Sequence, residues 1–148
     1  MEENIGKIFL KIMALMYVLA VLYITFLAPY RYTGRFTADN VNFSPFSDKW
    51  FYISNFTTLR DNQKLFIVKE MGGNFLLLMP FSWFVFTLFK NKIKKVLMAL
   101  LLALVAICIE SLQYGLHIGT FDIDDIILNI TGGFFGIFLF DVVCNKKG

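Results

Sequence analysis

Histidine occurs once in this 148-residue chain, and cysteine twice, at Cys108 and Cys144. The two cysteines lie in or beside separate apolar blocks, with no C-x-x-C pair and no histidine–cysteine cluster, so neither a disulfide framework nor a zinc site is expected. No glycine-rich phosphate loop follows a strand-like segment, and no nucleophile motif is present. Charged residues make up only 17% of the chain and the net charge of +3 is spread along connecting segments. That pattern excludes a nucleic-acid partner. Internal repeats, low-complexity stretches and linkers are also missing. On these grounds no metal and no cofactor is assigned.

What the sequence does have is apolar length, with 57% of residues hydrophobic and gathered in blocks. Residues 12–28 and 71–89 carry no charge, residues 96–116 carry only Glu110, and residues 126–140 are again uncharged. A membrane-crossing helix needs about 20 mostly apolar residues. The expected fold is an all-α membrane protein, a single domain over 1–148 with four transmembrane helices near 8–28, 71–89, 96–116 and 125–143. A long loop over 29–70 joins the first two. The first block reads as a retained anchor. It is longer than the ~7–15 residues of a signal-peptide core, and Phe26-Leu27-Ala28 places a bulky residue where a cleavage site needs a small one.

Lysines orient the helices through the positive-inside rule. KNKIKK joins blocks two and three, NKKG ends the chain, and Lys7 and Lys11 precede block one, whereas residues 113–125 hold no Lys or Arg. The expectation is a multi-pass protein of the cell membrane with both termini cytoplasmic and the 29–70 loop outside. The basic residues of that loop are dispersed among acids and do not outweigh the dense lysine cluster. The loop is also rich in aromatics, which prefer the headgroup region. A short interfacial helix is expected over 49–56 or 59–69, with membrane lipids as the surrounding partner.

The remaining polar residues converge. Starting from Lys95, Glu110 lies ~22 Å along its helix, and Gln113 and His117 share its face. Asp125 and Asn129 follow one another at an i+4 step on the last helix, and Asn74 sits just inside the second, below Glu70. Three helices thus bring Asn74, Glu110, Gln113, Asp122, Asp125 and Asn129 to similar depth in the outer third of the bilayer, and these six are the candidate functional cluster. An ionised carboxylate in hydrocarbon needs a partner. For Glu110 the candidates are the nearby amides, His117, or Arg31 and Arg35 reaching down from the loop; the two arginines are also candidate anion or headgroup contacts. One of the aspartates, Asp124 foremost, is expected to cap the last helix. Gly132, Gly133 and Gly136 read as a helix-packing notch, one that a homodimer would use. Pro80 removes a backbone hydrogen bond and is expected to kink the second helix.

These residues make the sequence resemble the VanZ-like family. Asn42-Phe43-Ser44-Pro45-Phe46 resembles the family's N-L-x-P-F, and Gly73-Asn74 followed by Pro80-Phe81 resembles its G-N…P-F-G. The stretch Glu110…Gln113…Gly119…Asp122…Asp125…Asn129…Gly132-Gly133…Gly136 resembles its long carboxylate, amide and glycine signature. Two departures stand out: Ser82 where glycine is common, and Thr120 where many members carry arginine; if that arginine pairs with an acid, the pairing differs here, and Arg31 or Arg35 can substitute. The resemblance implies an integral membrane protein of mostly Gram-positive bacteria. It also implies an association, through the founding member, with lower susceptibility to teicoplanin and related lipoglycopeptides. It supplies no reaction. Three functions follow as expectations. The first is a non-catalytic outer-leaflet site engaging a lipoglycopeptide or the lipid-linked cell-wall precursor. The second is a membrane enzyme using Glu110 with Asp125 or Asp122 as acid and base. The third is a small oligomeric transporter subunit.

Overall fold

The computed structural model describes residues 2–28, 41–89 and 92–144. Arg31 and Arg35 lie outside the described residues. Helix α1 spans Glu2–Leu22 and continues as a π-helical turn, Tyr23–Leu27. A two-residue strand β1, Val41–Asn42, precedes the short helix α2, Ser47–Ser54, and a 3-10 turn at Phe56–Thr58. Helices α3, Asp61–Leu77, and α4, Met79–Leu88, form one broken rod. Helix α5 is Lys95–Gly115, strand β2 is Phe121–Asp122, and α6 is Ile123–Cys144. Four segments, Ile5–Leu27, Asp61–Leu88, Lys95–Gly115 and Ile123–Val143, are long and apolar enough to cross a membrane. The chain is therefore a helical, multi-pass membrane protein.

The second span differs from expectation at its start. It begins at Asp61, ten residues before the apolar block at 71, so the amphipathic stretch 59–69 is the upper part of this helix. Backbone hydrogen bonding continues through polar residues once the helix is nucleated, and hydropathy alone cannot see that. The interruption is at Leu78. Pro80 has no N–H to give, and its ring crowds the carbonyl one turn back. The Tyr17 hydroxyl donates to the Leu77 carbonyl at 2.5 Å, so α1 satisfies a backbone group at the break.

Helix α6 is the axis against which α3, α4 and α5 pack. Its glycines allow this. A side chain at Gly132 would overlap the Phe75 carbonyl oxygen, one at Gly136 would overlap that of Met79, and one at Gly133 would meet Leu102. The expected notch is thus filled by the chain's own α3, α4 and α5, and a homodimer would have to use another surface. Ser82 donates its hydroxyl to the Gly133 carbonyl at 2.7 Å and seals the contact. Around and below it lies an apolar core of Leu78, Phe86, Met98, Leu102, Ile137 and Phe140, with the Trp83 and Phe86 rings each 5.5 Å from Phe140. At the same end Lys95 pairs with Asp141 at 2.6 Å. Helix α1 is peripheral: Ile5, Phe9, Ile12, Leu15 and Leu19 are all exposed. Such a surface suits lipid and not water.

The glycine contacts give a stability prediction. Gly132→Ala is expected to cost more than about 2 kcal/mol, since backbone on the opposing helix cannot yield as a side chain would. Gly72→Ala has open space and is expected to be neutral or stabilising by up to about 1 kcal/mol. Thermal unfolding of both variants in detergent micelles checks the contrast.

Candidate functional site

At the opposite end from Lys95 and Asp141, the segment 41–58 folds back over the start of α6 like a strap. The fold of this segment starts with Asn42. Its side-chain oxygen accepts from Ser44 N–H at 3.0 Å, an Asx turn that bends the chain into Pro45. Phe46 then takes a left-handed backbone, φ 58°, which a non-glycine residue adopts only when something holds it. What holds it is a hydrogen bond from Phe46 N–H to Asp124 Oδ1 at 2.7 Å. On the other side β1 pairs in parallel with β2, setting Val41 opposite Phe121 and Asn42 opposite Asp122, and the Asn42 amide donates to Asp122 Oδ1 at 3.2 Å.

Helix α2 follows directly and carries Lys49 into the interior. Only 4% of this lysine is exposed. Its Nζ stands 2.7 Å from Asp125, 2.8 Å from Asp122 and 3.6 Å from Asp124. Burial alone would favour the neutral amine, but Asp125 and then Asp122 outweigh it through charge and hydrogen bonds. The result is a pKa held above the usual lysine range. Glu70 of α3 completes the ring: carboxylate oxygens of Glu70, Asp122 and Asp125 lie within 4.8 Å of one another. Asn74, one turn below Glu70, reaches Asp125 with its side chain. Beside them opens a cleft of ≈ 590 Å³ whose walls include Asn42, Lys49, Tyr52, Phe66, Glu70 and Asp122. Oxygen ligands at this spacing suit a hard divalent cation. Such an ion would have to compete with the Lys49 ammonium, which already contacts two of the three carboxylates.

The six expected residues therefore fall into two layers. Asn74, Asp122 and Asp125 meet around Lys49. Glu110, Gln113 and Asn129 are almost wholly buried among the helices. Gln113 donates to the Thr25 carbonyl at 3.2 Å, tying α5 to the π-helical turn of the first span. That is a packing role. The Asn129 amide, fully buried one turn below Asp125, has no hydrogen-bond partner among the described residues. Helices α5 and α6 set Leu102 against Gly133, and equal rise along both carries Glu110 to about the height of Asp125. His117 is exposed, in a left-handed turn after α5.

One expectation is corrected. Asp124 does not cap α6. Asp122 does, accepting Asp124 N–H at 2.9 Å from the position just before the helix, while Asp124 is turned inward to hold Phe46. Among the described residues the cation that meets these acids is Lys49, a residue that nothing in the sequence pattern singles out; Arg31 and Arg35 lie outside the described residues. Thr120 and Lys49 line the same cleft. A signal for some cation existed: three acids within four residues, 122–125, with no basic residue between 113 and 125, require one from elsewhere in the chain.

Breaking a buried ion pair by removing one partner costs about 3–5 kcal/mol. Lys49→Met is expected to destabilise the protein by that amount in detergent unfolding, and Lys49→Arg to keep most of the stability. The sign of the pH dependence follows from the raised pKa. The lysine contribution is complete below the unfolded value of about 10.4 and is lost only as pH rises through the folded value. Amine-acylating reagents at mildly alkaline pH should therefore modify Lys64 and Lys95 well before Lys49, as read by peptide mass spectrometry.

No curated protein and no solved structure matches this chain. The family model described as VanZ/LLP1 matches residues 14–144. That range takes in the rest of the first span, the strap, the Lys49–aspartate ring and the glycine face of α6. The chain belongs to the VanZ/LLP1 family.

Proposed function

We propose that this protein is a non-catalytic membrane component of the cell envelope. In this reading its polar cleft faces the outside and engages the head of a bilayer-anchored ligand, a lipoglycopeptide or the lipid-linked cell-wall precursor. It thereby lowers susceptibility to teicoplanin-type drugs. The observation that carries the reading is the cleft walled by Lys49, Glu70 and Asp122, with Asp125 behind them holding Lys49. An elaborate polar site costs stability in a membrane protein and is retained where it is used. Among the described residues Lys92, Lys94 and Lys95 lie at the other end of the helices, at the start of α5, which favours cytoplasmic termini and an outward cleft. Family membership supports the link to lipoglycopeptides. The ammonium of Lys49 is held by aspartates, so among the described residues the cleft offers the Glu70 and Asp122 carboxylates, the Asn42 amide and the hydroxyls of Ser44, Ser47, Tyr52 and Thr120 to a ligand. That chemistry fits amino and hydroxyl groups better than phosphate.

A membrane enzyme is the second reading, favoured by the closeness of Glu70 to Asp122 and Asp125. Neighbouring carboxylates separate in pKa and can divide acid and base roles. It requires a changed lipid or precursor profile in expressing cells, and an unaltered profile by mass spectrometry removes it.

The test of the first reading is teicoplanin susceptibility of a sensitive Gram-positive host expressing the native chain, Asp125→Asn or Glu110→Gln at equal membrane abundance. Protection by the native chain that is lost in Asp125→Asn is the expected result. Protection kept in Asp125→Asn, or none from the native chain, refutes it. Glu110→Gln reports whether the buried layer takes part or only packs.

A further inference from the structure

The strap has a second face. Lys49 and Tyr52, three residues apart on α2, turn toward the cleft. Trp50 and Phe51 turn away, 67% and 62% exposed, with Ile53 beside them, and Phe43 before the helix and Phe56 after it are exposed too. Of the twenty residues 41–60 only Asp48, Lys49 and Arg60 are charged, and the charge of Lys49 is directed inward. A segment standing in water would carry charge on this surface and hide its aromatics.

The level of the strap is set by its bonds. Lys49 reaches Asp125, within the last membrane span, and that carboxylate lies beside Glu70. Glu70 is nine residues inside α3, ~14 Å below its start. Above Glu70, Leu65, Phe66 and Val68 are exposed on α3, so an apolar surface extends upward past the ion ring. The full span Asp61–Leu88 has 28 residues, ~42 Å of helix against a hydrocarbon core of ~30 Å. Its first turns thus stand at headgroup height, alongside the strap.

We infer that the outward face of the strap, Phe43, Trp50, Phe51, Ile53 and Phe56, is embedded in the headgroup–acyl boundary of the bilayer. The occupant of this surface is lipid. The face is continuous with the lipid-facing sides of the membrane spans, and its aromatics are of the kind that settles at that depth. One consequence rests on the proposed function: the cleft behind the strap opens at headgroup height, where Phe66 forms part of both its wall and the lipid-facing surface, so a lipid-anchored ligand enters sideways from the bilayer.

Trp50 and Trp83 are the only tryptophans. Trp83→Phe, in phosphatidylcholine–phosphatidylglycerol vesicles, leaves Trp50 as the sole reporter. The expected result is emission shifted to the blue of exposed tryptophan, with little quenching by aqueous iodide. Lipids brominated near the headgroup end of the chain should quench more strongly than those brominated near the terminal methyl. Red emission quenched by iodide and untouched by brominated lipid overturns the inference, and so does strongest quenching by the deep bromines. Should Trp83→Phe fail to fold, subtracting Trp50→Phe spectra from native ones reads the same quantity. A water-exposed Trp50 leaves the susceptibility experiment on Asp125→Asn unaffected, so the two ideas fail separately.

Discussion

A lysine ammonium cannot be buried alone, and this requirement organises one whole end of the molecule. Lys49 reaches the interior only because Asp122, Asp124 and Asp125 lie at the start of α6, where carboxylates are also favoured by the helix dipole. The three acids do different work. Asp122 caps the helix and receives Asn42, Asp124 fixes the left-handed Phe46, and Asp125 gives Lys49 its shortest contact. Remove the cation and the helix start carries uncompensated charge; remove the acids and the strap has nothing to close on. Buried ion pairs add little net stability, but they fix which partner sits where.

Helix α6 joins this polar end to an apolar one. Its first turns carry acids, its middle carries Asn129, and its later turns present Gly132, Gly133 and Gly136 to neighbouring helices. In lipid no hydrophobic force drives helices together, so close backbone approach and a few hydrogen bonds such as Ser82 to Gly133 must do it. The division is sharp. Below Ser82 and Leu102 the core is aromatic and aliphatic, so the polar layers end midway as a basin within one copy of the chain. That shape suits a site for binding from one side better than a path across.

Family membership and geometry meet in the strap. The N-F-S-P-F stretch and the D-x-D-D stretch are separated by more than seventy residues, yet Asn42 and Phe46 of one bond Asp122 and Asp124 of the other. Both belong to one structural unit. A cleft framed by that unit, in an aromatic setting, fits a role on ligands that carry their own lipid anchor.

The sequence by itself determined the membrane class, the four spans and the polar character of one end. Those follow from apolar run length and from the cost of burying charge, both local properties of the chain. It also marked Asp122, Asp125 and Asn74 by their position on helices. The tertiary structure alone decided which cation serves the acids, because Lys49 is more than seventy residues away and looks like one more loop lysine. It alone exchanged the roles of Asp122 and Asp124, since a cap depends on where the first helical N–H groups point. It alone assigned the glycine notch to α3, α4 and α5, since a small-residue stripe has no preference between partners until the helices meet. Pairings of this kind rest on distance in space, which residue spacing along one chain does not carry.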